Sequence, residues 1–147
     1  MKAIFLSVLL TTFACSYRAG RLAPGSLGLD LGTVESVSAL RGADTVVGGA
    51  LSARLAARSS AMPRRTLDVR ILRVNDRIAG ANGVQREIFM EMELVTGETV
   101  VTVSGRQTYL GGASAPNNES ARFGVLHELS GRLFDEALPQ LIDAVGQ

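Results

Sequence analysis

Ile88, Met90, Met92 and Leu94 alternate with Glu87, Glu91 and Glu93. A strict two-residue period belongs to a strand with one face buried and the other in water. Such a strand needs hydrogen-bonded neighbours, and the flanking sequence supplies them. Upstream, Leu67, Val69 and Ile71 alternate with Asp68 and Arg70, and the run continues through Val74 to Ile78 before the turn residues Gly80-Ala81-Asn82-Gly83. Downstream, Thr96-Gly97-Glu98 forms a tight hairpin, after which Val101 and Val103 carry a further strand to about Tyr109. Three strands in succession make a meander whose apolar face must be covered.

Two segments can cover it. Val47, Leu51 and Leu55 recur every four residues, with Asp44 as N-cap and Arg54 and Arg58 in the last turns, which predicts a helix from Asp44 to about Arg58. Gly48-Gly49 weakens it by about 1 kcal/mol per glycine relative to alanine, which points to close packing against a sheet or, as the alternative, a ragged start. Ser59, Ser60 and Pro63 end it. After the loop GGASAPNNES, capped by Asn118 or Ser120, a second helix carries Phe123, Leu126, Ser130, Leu133, Phe134 and Ala137 on one stripe, broadened by Leu129. Pro139 is expected to end or kink this helix near Leu138, leaving Leu141, Ile142 and Val145 as a short terminal turn or frayed tail. Ahead of both helices, Leu27, Leu29 and Leu31, then Val34 and Val37, read as a first strand with a bulged end. The glycines of LGLDLG in this strand lack the GxGxxG or GK[ST] pattern that phosphate binding requires.

The order β-α-β-β-β-α predicts an α+β two-layer sandwich, a four-stranded mixed sheet with both helices on one face. The other face carries Asp68, Arg70, Glu87, Phe89, Glu91 and Glu93. It is charged enough to stay in water or meet a polar partner, and an unpaired edge strand offers a route to self-association.

The first residues determine location. Lys2 precedes the apolar run Ala3 to Leu10, then come Thr11, Thr12, Phe13, Ala14 and Cys15. This is an export signal, too short for a membrane span of about 20 apolar residues. Cysteine after a small residue at the cleavage point resembles the lipobox of bacterial lipoproteins, with Thr12 where such lipoboxes usually carry leucine. The resemblance implies that Cys15 is diacylated on sulfur, becomes the mature N-terminus and is N-acylated, with palmitate among the chains. Plain periplasmic secretion is the alternative, since Thr12-Phe13-Ala14 also fits a small-x-small cleavage site. Ser16, where aspartate retains enterobacterial lipoproteins in the inner membrane, implies the periplasmic face of the outer membrane, with an inner-membrane or soluble periplasmic protein as alternatives. The expected organisation is a signal peptide at 1–14, an acylated end and tether at 15–26, and one domain at 27–147. Arg18 and Arg21 in the tether are solvated charges that could also meet anionic head groups.

Composition narrows the function. The 147 residues contain one cysteine, so no intramolecular disulfide forms, and a single cysteine ending the leader is better explained by lipid. Lys2 is the sole lysine; without the leader 14 arginines balance 14 carboxylates, which gives no support to nucleic-acid binding. His127, the one histidine, lies beside the apolar stripe of the terminal helix as a boundary or surface residue. With no second histidine and no free thiol after lipidation, zinc sites of the Cys/His type are excluded. Glu91 and Glu93 share a strand face about 7 Å apart, a spacing compatible with paired carboxylates, but nothing in the sequence supplies an apolar pocket to raise the pKa of either. Asn117-Asn118-Glu119-Ser120 reads as a polar loop or cap. No catalytic residue, cofactor site or metal site is assigned.

Element order together with the acylated N-terminus resembles the outer-membrane lipopolysaccharide-assembly lipoprotein and the auxiliary lipoproteins of envelope lipid-transport systems. The resemblance covers most of the mature chain at the level of topology, with no shared motif, so no functional residue is carried over. It implies a non-enzymatic, lipid-anchored accessory or assembly factor for a membrane or lipid-transport complex, with the membrane reached through Cys15 and an envelope protein as partner. A lipid-anchored small-ligand binder or an enzyme is the alternative.

Overall fold

The computed structural model describes residues 28–58, 64–81, 83–111 and 115–145. The expected leader, Cys15, the expected tether with Arg18 and Arg21, Leu27, Asn82 and the expected helix stop at Ser59 to Pro63 lie outside these residues. Six elements follow in the expected order: β1 Gly28–Ser36, α1 Ala43–Ala56, β2 Arg64–Ile78, β3 Gln85–Thr96, β4 Thr99–Leu110 and α2 Ala115–Val145. The sheet order is β1-β2-β3-β4. β1 runs parallel to β2, and the other neighbours are antiparallel. Both helices cover one face, α1 over β1 and α2 over β3 and β4, around one core. This is the four-stranded mixed α+β architecture that the alternation predicts.

Ile88, Met90, Met92 and Leu94 are fully buried, as are Leu67, Val69 and Ile71 across the ladder. Gly97 has φ 59°, while no non-glycine residue among the described residues adopts positive φ. The hairpin therefore places its left-handed residue first, where glycine is needed. β1 is irregular between Leu31 and Val34. There the Asp68 carboxylate accepts from the Thr33 backbone N–H at 2.7 Å and from its hydroxyl at 2.9 Å. A Cβ at Gly32 would collide with that carboxylate, so this glycine makes room for an acceptor.

Sheet and helix pack closely at Gly105. A Cβ there would lie 2.9 Å from Leu133 Cδ2 and 3.3 Å from Leu129 Cδ1. Ser130 sits fully buried in the same stripe because its hydroxyl donates to the Leu126 carbonyl at 2.7 Å. The helices are joined by Arg54 Nη1 to Asp135 Oδ2 at 2.7 Å.

Four local expectations are corrected. Asp44 is not the N-cap: α1 starts at Ala43, fully buried, after a left-handed Gly42, and Asp44 lies in the first turn, where its charge still suits the dipole. Neither Asn118 nor Ser120 caps α2, because that helix starts at Ala115 and both lie inside it; Pro116 in the first turn forfeits no helical hydrogen bond there. Gly48 meets Val34 at an ordinary 3.6 Å and Gly49 meets nothing within 4 Å, so close packing does not account for the pair. Finally, α2 runs through Pro139 to Val145. An interior proline costs about 3 kcal/mol, whereas burying Leu141 and Ile142, at 0% and 4% exposure, contributes about 1.5–3 kcal/mol each. Packing beyond the proline offsets the lost hydrogen bond.

Candidate functional site

The uncovered sheet face is built in rows. Across β2, β3 and β4 the register gives Arg70–Glu93–Thr102, then Arg73–Glu91–Ser104, Asn75–Phe89–Arg106 and Arg77–Glu87–Thr108. One irregularity makes this possible. Pairing slips between Ile71 and Arg73, leaving Leu72 as the extra residue. Before the slip Leu67, Val69 and Ile71 point into the core; after it Val74 packs against the core, and Arg73, Asn75 and Arg77 turn outward. Without the bulge, these three residues would point at the helices.

The rows close unequally. Arg77 Nη2 lies 2.6 Å from Glu87 Oε1, and Arg70 Nη1 lies 4.0 Å from Glu93 Oε2. In the Phe89 row, β3 has no carboxylate. The Arg106 guanidinium lies over the Phe89 ring instead, 5.9 Å from its centroid. Among the described residues, neither Arg73 nor Arg106 forms an ion pair. Arg73, Asn75, Arg77, Glu87, Phe89 and Arg106 enclose a shallow, open depression of about 230 Å³. The Arg106 carbonyl accepts from Arg132 of α2 at 2.9 Å, tying this part of β4 to the helix layer.

A second polar group lies on the covered face near the far end of the sheet. Arg86 Nε reaches Asp76 Oδ1 at 3.1 Å, and the Tyr109 hydroxyl donates to Asp76 Oδ2 at 2.9 Å. Burial, then the adjacent carboxylate, pushes the Tyr109 hydroxyl above its ordinary range, and Asp76 holds Arg86 more firmly cationic. The three side chains satisfy one another and pin the ends of β2, β3 and β4 together.

The structure distributes the residues singled out in the sequence. Glu91 and Glu93 do share the open face, Glu93 opposite Arg70 and Glu91 opposite Arg73 in register. His127 is exposed on α2. Asn117 to Ser120 form helix rather than a loop, and Asn118 Oδ1 is buried with no hydrogen-bond partner among the described residues. Arg73, Asn75, Arg77 and Arg106 escape a reading of the alternation alone. The signal for three of them is the adjacent Ile71-Leu72, followed by an alternation out of phase with the one before it. Among the described residues, no group of three His, Cys, Asp or Glu could hold a metal ion, and no helix is long and apolar enough to cross a membrane.

No protein-family model matches the sequence, and no curated protein matches it. Solved structures do. A predicted lipoprotein from Caulobacter crescentus aligns over 82% of this chain and 90% of its own, at 12% identity and a TM-score of 0.51. That likeness is one of fold. The PelC dodecamer from Paraburkholderia phytofirmans aligns over 78% of this chain and 89% of its own at 16% identity, with a TM-score of 0.43. A minor lipoprotein from Acinetobacter baumannii aligns over 82% and 92% at 13% identity, with a TM-score of 0.36.

Proposed function

We propose that this chain is a bacterial envelope lipoprotein, anchored through acylated Cys15 at the periplasmic face of the outer membrane, that acts by contact as an accessory or assembly factor. The observation that carries the reading is the uncovered sheet face. It presents ordered rows of arginine and glutamate around an aromatic ring, a composition that protein interfaces favour for their Arg and aromatic anchors. Its depression of about 230 Å³ is open and smaller than the roughly 300–1,000 Å³ usual for small-ligand sites. A macromolecular surface fits such a site better than an enclosed metabolite, which favours the accessory role over a ligand binder or enzyme. The leader ending at Cys15 supports the envelope address, and so does a fold shared with a predicted lipoprotein. Two or more acyl chains at about 0.8 kcal/mol per buried methylene would hold the domain at the bilayer durably.

The test uses the full chain in cells, with metabolic palmitate labelling, membrane fractionation and chemical crosslinking. The wild type should carry label and crosslink to a stoichiometric envelope protein, and Cys15→Ser should lose both label and membrane association. Label-free wild type, or equal membrane retention of the serine variant, would refute the anchor. Absence of any stoichiometric partner at every surface tested would refute the accessory role.

A further inference from the structure

We infer that the depression around Phe89 receives an acidic side chain from a partner protein, clamped between the guanidinium groups of Arg73 and Arg106. This rests on the contact reading and specifies the chemistry of the partner. On β2 the outward residues Arg70, Arg73 and Arg77 run beside the β3 column Glu93, Glu91 and Glu87. Phe89 interrupts the acidic column between Glu91 and Glu87. The row that lacks a carboxylate is also the row in which β4 adds Arg106. Three arginines and one glutamate line the hollow, and that glutamate is already held by Arg77. Arg73 and Arg106 therefore supply cationic forks that no carboxylate among the described residues occupies, on a face where the other arginines are matched. A guanidinium already lying over a ring keeps edge donors free for a carboxylate, so cation–π stacking and ion pairing combine rather than compete.

Charge balance selects the occupant. The face as a whole carries Asp30, Glu35, Asp68, Glu87, Glu91 and Glu93 against Arg64, Arg70, Arg73, Arg77 and Arg106. An anionic bilayer or a polyanionic chain would meet at least as many carboxylates as guanidiniums and gain little from long-range attraction. A single carboxylate delivered at one point avoids the glutamates and neutralises the local excess. The hollow has room for one side chain and a ring-stacked neighbour. The occupant is thus an Asp or Glu on a protein segment, with an apolar or aromatic residue beside it to cover Phe89.

In-cell photocrosslinking of the full chain tests this. A photoreactive residue is placed at Asn75, in the same row as Phe89, and separately at Ser52 on the exposed side of α1. The crosslinked partner peptide is then identified by mass spectrometry. The expected peptide contains Asp or Glu. Its yield from position 75 should fall about tenfold or more in Arg73→Glu/Arg106→Glu, as charge reversal at a paired interface site requires. Changing the mapped acid to arginine in the partner should restore the crosslink to that double variant. Both arginines are exposed, so an unchanged melting temperature confirms folding. A crosslinked peptide without an acid, a crosslink to lipid, or a yield indifferent to charge reversal overturns the inference. If position 75 captures nothing while position 52 captures a stoichiometric partner, the acidic contact is wrong and the accessory role stands. If neither position captures a protein, both are wrong.

Discussion

Substituting Gly105 by alanine probes a close contact between the layers, and its sign should depend on a second residue. The added methyl would approach Leu133 Cδ2 to 2.9 Å and Leu129 Cδ1 to 3.3 Å. Forcing a methyl into a packed core costs about 1–3 kcal/mol, against which alanine gains about 0.4–1 kcal/mol by restricting the unfolded chain. Gly105→Ala alone should therefore destabilise by up to about 2.5 kcal/mol. Leu133→Ala alone should cost about 2–5 kcal/mol, since Leu133 is buried to 1% exposure. In that background the same glycine substitution fills space: the methyl contributes about 0.8 kcal/mol and the chain-entropy gain is no longer opposed. It should become stabilising by about 1–2 kcal/mol. Urea unfolding of the four proteins measures the coupling, which should exceed about 1 kcal/mol. Additivity within about 0.5 kcal/mol would mean that α2 does not lie over Gly105, and the helix-on-sheet register would have to be redrawn.

Other perturbations test other parts of the reasoning. Leu141→Ala should cost about 2–5 kcal/mol because the last turns of α2 are docked, and Pro139→Ala should stabilise by restoring a donor to the Asp135 carbonyl; a neutral Leu141→Ala in urea unfolding would mean that the helix ends at the proline. Thr96 Oγ1 is buried without a hydrogen-bond partner among the described residues, so the isosteric Thr96→Val should raise stability by about 1 kcal/mol, read as a higher urea midpoint. The Thr33 N–H and hydroxyl hold the Asp68 carboxyl below its ordinary range. A depressed folded pKa contributes stability that is present above the unfolded value near about 3.9 and lost as pH falls through the folded value. Asp68→Asn should thus lower the melting temperature at pH 7 by an amount that shrinks below about pH 4; a constant gap down to pH 2 would show that Thr33 does not favour the charged form.

Much of the architecture is legible because the forces that set it are periodic. The alternation of Ile88 to Leu94 fixes a strand, its face and its partners, and the four-residue recurrence of Val47, Leu51 and Leu55 fixes a helix over that face. Ends are less legible, because local signals compete there with packing several residues away. Pro139 is a strong local signal to stop, yet Leu141 and Ile142 lie one turn further on with core to fill, and together they outweigh it. Asp44 is a good cap by type, but burial of Ala43 starts the helix earlier. Long-range geometry decides both cases, and a sequence window does not contain it.

The candidate site is harder to read than the fold for a related reason. Period-two logic propagates a face assignment along a strand until an extra residue intervenes, and beyond it every assignment reverses. From Leu67 the unbroken phase would send Arg73 and Arg77 inward, under two helices, where unpaired guanidiniums carry a desolvation penalty of several kcal/mol each. Leu72 removes that conflict by adding one residue to β2, and the same slip that protects the core sets Arg73, Asn75 and Arg77 in a row beside Phe89. Arg106 joins them through the β3–β4 register alone, which the two-residue turn at Gly97-Glu98 fixes. The basic hollow is thus a product of register rather than of a motif, and residues more than thirty positions apart meet there without any shared sequence signature. A reading that tests each strand for a phase change, by asking where charged residues would otherwise enter the core, recovers the β2 residues of such a site; Arg106 additionally requires the hairpin register.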